Sequence, residues 1–270
     1  MVATPRIVLV GGGNMGSALV GGLVAAGTDP ASLTVVEIDA DKRTGLEHRF
    51  GVRTSDSIVG GEGAVIAVKP GDAPGAAAAA AAAGAQRVLS IAAGVTLAAL
   101  HDAVGGKCAV LRAMPNTPAL VGEGATALSA GSGCTDNDIS WAEQILRAVG
   151  VVVRVPEEQM DAVTAVAGSG PGYLFLFAEA LLEAALAEGL PRDTADLLVR
   201  QLFKGSGALL AGSDEQPSVL RERVTSPNGT TFAGLSVLEA EGLRATVHKA
   251  VRAAAARSAE MARDAAAGKN

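Results

Sequence analysis

Two short stretches of this sequence carry groups suited to holding an anion. The first is GGGNMG at 11–16, where Gly11, Gly13 and Gly16 take the spacing GxGxxG directly behind the apolar run RIVLV (6–10) and ahead of a helical pattern over 15–26. Glycines at such a turn, with Asn14 and Met15 between them, let backbone approach a pyrophosphate, and the N-terminus of the following helix favours its charge. Glu37 closes the next apolar run, TVVE (34–37), 21 residues after Gly16. A carboxylate there accepts from both ribose hydroxyls and repels a 2′-phosphate. Asp39 adds to that repulsion, whereas Lys42 and Arg43 follow closely enough to neutralise a phosphate. The choice between NADH and NADPH therefore stays open and leans to NADH. The second stretch is VTSPNGTT (224–231), which sets a rigid Pro227, a turn-prone Asn228-Gly229 and several hydroxyls between two helical patterns. A turn that feeds exposed N–H groups into a new helix seats an anion. The plainer reading is ordinary turn chemistry with a threonine as helix N-cap.

The elements that must position these groups follow from pattern. Compact apolar runs at 6–10, 34–37, 65–68, 88–91, 109–112 and 151–155 alternate with helical segments at 15–26, 42–49, 73–83, 97–104 and 137–149. Runs apolar on both faces are what parallel strands covered by helices require, so the first half is expected to form a Rossmann-type, doubly wound α/β sheet. AVKPG (67–71), with Ala67, Val68, Lys69 and Pro70, and SIAAGV (90–95), with Ala93, each end a strand at the carboxyl edge, where ligands bind in such folds. After Pro156 the pattern turns helical throughout (161–167, 174–189, 193–211, 218–224, 231–241 and 243–267). The expected division is a dinucleotide-binding domain over 1–156 and an all-helical domain over 157–270. In the last helix Leu243, Val247, Val251, Ala254, Met261 and Ala265 form an apolar stripe, more than so small a bundle hides alone, which points to a partner subunit.

Composition narrows the function. With 49% hydrophobic but only 3% aromatic residues, the core of this 270-residue chain must be built from small aliphatic side chains. A net charge of −6 with mixed signs argues against nucleic acid or an anionic membrane as partner. The apolar run at 6–10 is too short for a signal peptide or a membrane span. Cys108 and Cys134 show neither metal spacing nor CxxC, so no metal site is expected and a reducing, cytoplasmic setting is. The alanine run at 76–83 reads as a surface helix begun at Pro74.

Taken in order, GGGNMG (11–16), AVKPG (67–71), SIAAGVTL (90–97), RAMPNTP (112–118), DAVTAVAGSGPGY (161–173) and VTSPNGTTFAGL (224–235) cover nearly the whole chain and resemble the pyrroline-5-carboxylate reductases, the last enzymes of proline synthesis. The resemblance implies a reduced nicotinamide donating hydride to the C=N carbon of a five-membered cyclic imine that carries a carboxylate, giving proline. It implies a homodimer with interlocked helical domains, often assembled further. It places the substrate carboxylate on Ser226, Gly229, Thr230 and Thr231, with Ser226 and Thr231 as the catalytic pair and Thr231 facing the ring nitrogen, and it adds Asn116 of RAMPNTP to the cofactor set.

Chemistry supports so sparse a site. An imine picks up its own proton near neutral pH, so hydride transfer needs positioning, dryness and charge complementarity more than a general acid. His48, His101 and His248 all fall outside the matched motifs, and Tyr173 reads as packing more readily than as a donor. Three positions depart from the family pattern: Asn228 for glycine, a residue that tolerates positive φ; Gly172 for alanine, which loosens a helix start; and Ser57 for asparagine near the adenosine ribose. Two rival readings share the glycine turn. A β-hydroxyacid dehydrogenase of the 3-hydroxyisobutyrate type needs a lysine in the helix after the domain boundary, and the segment GSGPGYLFLFAEALLEAALAEG has none. A non-catalytic dinucleotide sensor would have no use for an anion seat in the helical domain.

Overall fold

The apolar runs become the centre of one sheet. The computed structural model describes residues 7–266, so the expected strand start at Arg6 and helix end at Ala267 lie outside the described residues. In chain order come β1 (Ile7–Val10), α1 (Asn14–Ala25), β2 (Leu33–Val36), α2 (Ala40–Phe50), β3 (Arg53–Ser55), β4 (Gly63–Ile66), α3 (Ala73–Ala82), β5 (Arg87–Ser90), α4 (Leu97–Val104), β6 (Ala109–Met114), β7 (Gly124–Ala130), α5 (Asp136–Arg147) and β8 (Gly150–Arg154). The strands lie in the order β3-β2-β1-β4-β5-β6-β7-β8. Alternate residues feed two cores. Leu9, Val35, Val65, Leu89 and Leu111 pack with Leu19, Leu23 and Ile145 on one face. Val8, Ile66, Val88 and Val110 pack with Ala77, Ala80 and Leu100 on the other. Helices on both faces explain why the runs carry no polar alternation, each buried Val or Leu contributing roughly 1.5–3 kcal/mol.

The alanine run is less superficial than its composition suggests: Ala73, Ala77 and Ala80 of α3 are buried, and a side chain of one carbon lets the helix lie close against the sheet. Two strands escape the sequence pattern. β3 is a three-residue polar edge, and β7 (GATALSA) is made of small residues. β7 also runs antiparallel to β6, a departure from a purely parallel sheet. The connection between them holds only a short 3₁₀ turn, Thr117–Val121, too little chain for the crossover that a parallel pair demands.

No strand follows Arg154 among the described residues. The chain continues as α6 (Met160–Val163), a π-turn over Thr164–Gly168, α7 (Gly170–Ala187), α8 (Arg192–Ala211), α9 (Pro217–Arg223), α10 (Thr230–Ala240) and α11 (Leu243–Ala266). Two compact units result: one holds the chain up to Ser169 together with Ala253 onward, the other spans Gly170–Arg252. The first unit therefore runs past the strand-to-helix change at residues 156–157. Met160 and Ala165 are buried in it, Glu157 meets the buried Arg112 at 2.7 Å, and Ser258 Oγ donates to Asp161 Oδ1 at 2.7 Å. In the second unit α7 and α8 pair through Phe177 and Phe203, edge to face at 6.3 Å. Their outward residues stay in solvent, Phe175 at 66% exposure and Leu197 at 68%.

Candidate functional site

The parallel ladder brings the glycine turn and its neighbours to one edge. Gly11 N–H donates to Val36 O and Ala67 N–H to Val10 O, both at 2.8 Å, and Ile91 N–H donates to Ile66 O at 3.0 Å. The loops carrying Gly11–Gly16, Glu37, Ala67–Pro70 and Ala93 thus leave the sheet side by side, on either side of β1, where the chain turns in opposite directions to β2 and β4.

Each motif glycine has its own reason. Gly11 sits at φ +109°, and a Cβ there would come 2.5 Å from Ala67 O. A Cβ on Gly16 would overlap Gly11 O. Gly13, by contrast, has nothing within 4 Å of the Cβ position, so its bareness serves no internal packing. It precedes α1 as an N-cap without a side-chain bond, and the first turn of α1 carries no acidic residue. Open space, free amides and the positive end of a helix fit a pyrophosphate. None of the residues in the turn carries a negative charge of its own.

Glu37 is almost enclosed, 9% exposed. Its Oε2 accepts from Gly12 N–H at 2.9 Å and its Oε1 from Asp39 N–H at 3.0 Å. The contact with Gly12 is the part of this site that spacing does not reveal; the only trace in the sequence is a third glycine in GGG. Of the nearby cations, Lys42 lies 3.9 Å from Asp39, and Arg43 Nη1 donates to the carbonyls of Glu37 and Ile38 at 2.8 and 3.0 Å. Lys69 is exposed at the head of the Pro70–Asp72 turn. Asn116 also lies at this edge but faces inward. Its Oδ1 accepts from Ala125 N–H at 2.9 Å and its Nδ2 donates to Ala167 O at 3.0 Å, which leaves a single amide hydrogen for anything else.

The 224–231 loop belongs to the helical unit. Gly229 N–H donates to Ser226 O at 3.0 Å, closing a turn with Pro227 second and Asn228 third. Asn228 stands at φ +56°, the left-handed geometry that position needs in a type II turn. Gly229 is the N-cap of α10, again without a side-chain bond, and a Cβ on it would run into Ser226 Oγ. Thr230 and Thr231 are the first helical residues, and both are exposed, as is Ser226. Thr231 is therefore not the N-cap of this helix. Thr225 differs from them: its Oγ1 donates back to Arg221 O at 2.6 Å. The loop thus presents free hydroxyls and uncapped amides at a helix start, a combination suited to a carboxylate.

Other reactive groups offer little. Burial pushes the thiols of Cys108 and Cys134 above their ordinary range, the neighbouring Cys134 adding to the rise at Cys108, so neither is poised as a nucleophile. Among the described residues no three His, Cys, Asp or Glu side chains are grouped to hold a metal ion.

Comparison with known proteins identifies the family. A family model for pyrroline-5-carboxylate reductase dimerisation matches residues 157–261, and one for NADP oxidoreductase, coenzyme F420-dependent, matches residues 6–94. Over 97% of its length the chain is 39% identical to a pyrroline-5-carboxylate reductase of Pseudomonas aeruginosa, 98% of which is covered. It is 38% identical to one of Arabidopsis thaliana, over 95% of each chain. Among solved structures, a pyrroline-5-carboxylate reductase from Coxiella burnetii superposes with a TM-score of 0.91 at 37% identity, covering 96% of this chain and 98% of that one. The Plasmodium falciparum pyrroline carboxylate reductase, solved with NADP bound, superposes at 0.84 and 29% identity with the same coverage.

Proposed function

The chain belongs to the pyrroline-5-carboxylate reductase family, and from that membership we propose how its own residues serve the reaction. It reduces 1-pyrroline-5-carboxylate to proline with NADH or NADPH. When bound, the reduced nicotinamide supplies the hydride; the protein supplies binding, orientation and charge. Gly11, Gly13, Asn14, Met15 and Gly16 seat the pyrophosphate on the uncapped start of α1. Glu37 takes the adenosine ribose, and Ala67, Val68, Lys69, Pro70, Ala93 and Asn116 border the rest of the dinucleotide.

Ser226, Gly229, Thr230 and Thr231 hold the substrate carboxylate. The observation that carries this reading is the loop itself: Asn228 at φ +56° turns the chain so that α10 begins with free amides and exposed hydroxyls. A carboxylate at such a helix start gains about 0.3–1 kcal/mol from the dipole alone, before its hydrogen bonds are counted. Thr231 Oγ1 accepts from the protonated ring nitrogen, holding the positive charge next to the carbon that is reduced. No residue needs to deliver a proton, in keeping with the absence of histidine from the loop.

The helical unit serves assembly. Among the described residues, the run Glu157–Ala187 is long and apolar enough to cross a membrane by length and composition. Its match to the dimerisation model and the pairing of α7 with α8 favour a protein partner: a second copy covering Phe175, Leu197 and their neighbours in a homodimer, in the cytoplasm. The test of function is the absorbance change at the nicotinamide band in three mixtures: NADH with 1-pyrroline-5-carboxylate, NAD with 3-hydroxyisobutyrate, and NADH with no substrate. Decay with the imine and proline as its product is expected; turnover of the hydroxyacid alone would overturn the assignment.

A further inference from the structure

We propose that Gly12 is a positioning residue for cofactor selection: by holding Glu37 against the glycine turn, it makes this chain select NADH over NADPH. The inference rests on the reading that the 11–16 turn and Glu37 seat the dinucleotide. GxGxxG places no demand on its second position, yet here a side chain at that position would have to push Leu46 and Glu37 aside. A Cβ on Gly12 would lie 2.7 Å from Leu46 Cδ1, 3.1 Å from Glu37 Oε2 and 3.3 Å from Glu37 Cβ. Gly12 lets the carboxylate fold back far enough to accept from the Gly12 N–H at 2.9 Å while Asp39 N–H takes the other oxygen at 3.0 Å.

A glutamate free to rotate can swing away from an incoming phosphate. One pinned at both oxygens cannot. Each oxygen also retains a lone pair for a hydroxyl donor. A ribose diol donates to those lone pairs at little cost in ordering, because the acceptor is already in place. A 2′-phosphate brings like charge and no donor to a carboxylate that is 9% exposed, where screening by water is weak. Of the cations nearby, Lys42 lies beside the Asp39 carboxylate at 3.9 Å, and Arg43 Nη1 is turned to the Glu37 and Ile38 carbonyls. Ile38 itself is 86% exposed, so the turn beyond Glu37 offers no other polar side chain at that position.

Direct binding of NADH and NADPH, by calorimetry without imine, separates this from the site reading. The wild type is expected to bind NADH at least about tenfold tighter, the worth of one charge-assisted hydrogen bond. Glu37→Gln keeps an amide oxygen for Gly12 but removes the charge, and should strengthen NADPH binding until the two cofactors differ by less than about threefold. Gly12→Ala should weaken NADH roughly tenfold through the displaced carboxylate and leave NADPH nearly unchanged. If alanine merely distorted the turn, both affinities would fall by one factor and the ratio would stand; that result overturns the proposal, as does a wild type that binds NADPH as tightly as NADH. Should Gly12→Ala fail to fold, Glu37→Asp, which keeps the charge but shortens the reach to the Gly12 N–H, takes its place: NADH affinity should fall about tenfold, and an unchanged affinity overturns the proposal. Binding of neither cofactor to the wild type would sink the dinucleotide site and this inference with it.

Discussion

Thr231→Ala separates a catalytic hydroxyl from a structural one. Thr231 is the second residue of α10, its side chain is exposed, and the N-cap is Gly229. No cap is lost on truncation, and alanine is the better helix former by up to about 0.7 kcal/mol. Stability should therefore hold or rise slightly, with Tm within about 2 °C of wild type. If Thr231 Oγ1 accepts from the protonated ring nitrogen, losing a hydrogen bond to a charged group costs roughly 1.5–3 kcal/mol, a fall in kcat/KM of about ten- to a hundredfold. Cofactor affinity should not move, and Thr231→Ser should restore most of the rate. Thr225 supplies the control, since its hydroxyl is already bonded to Arg221 O at 2.6 Å. Thr225→Ala should lose about 0.5–1.5 kcal/mol of stability and keep its kinetics. Melting curves and kcat/KM on the same preparations read both quantities. A Thr231→Ala enzyme that is destabilised but turns over normally would refute the catalytic role and return Thr231 to the helix.

The glycines of the first turn should respond in opposite ways. Gly13→Val meets open space, so it should melt like wild type while losing NAD(P)H binding; Gly16→Ala forces a Cβ onto Gly11 O and should lower Tm even without cofactor. At the start of α5, burial raises the pKa of Asp138, but hydrogen bonds from the Thr135 hydroxyl and N–H, with Arg87 at 3.4 Å, outweigh it and leave the group lowered. The stability this adds is full above the unfolded carboxyl pKa of about 3.9 and is lost as pH falls through the lower folded value. Urea titrations should thus show Asp138→Asn weaker than wild type by about 1 kcal/mol at neutral pH, the gap closing in strong acid. Sedimentation at micromolar concentration should give a dimer or larger; a stable, active monomer would contradict the assignment of α7 and α8 to a subunit interface.

What could be read from the chain and what could not divides along physical lines. Strands buried on both faces announce themselves as runs such as IVLV, and the turn at 224–231 could be read because Pro227 and Asn228 each fix a backbone angle by local chemistry. Asn228 indeed takes the left-handed conformation. β3 and β7 were hidden because an edge strand of Arg-Thr-Ser and a strand of small residues owe their existence to neighbours far away in sequence. The π-turn at Thr164–Gly168 was hidden too, since one inserted residue leaves a helical pattern looking continuous; it shows as Ser169 N–H donating to Thr164 O at 2.8 Å. In the site, the spacing from Gly16 to Glu37 pointed to a ribose acceptor, whereas the bond from Gly12 to that acceptor is a close approach across β1 and β2. Nor does the motif reveal that the Asn116 carboxamide ties the end of β6 to Ala125 and Ala167.

The central claim, that the 224–231 loop seats the substrate carboxylate, is tested most directly by giving wild type and Gly229→Ala two imines, 1-pyrroline-5-carboxylate and 1-pyrroline, which lacks the carboxylate. A Cβ at residue 229 drives Ser226 Oγ from its place, so kcat/KM for the carboxylate-bearing imine should fall about tenfold or more, the loss of a charge-assisted hydrogen bond. For 1-pyrroline, already poor in wild type, the same substitution should change kcat/KM by less than about twofold, a coupling that only a shared contact produces. Equal losses on both imines would mean that the loop does not hold the carboxylate.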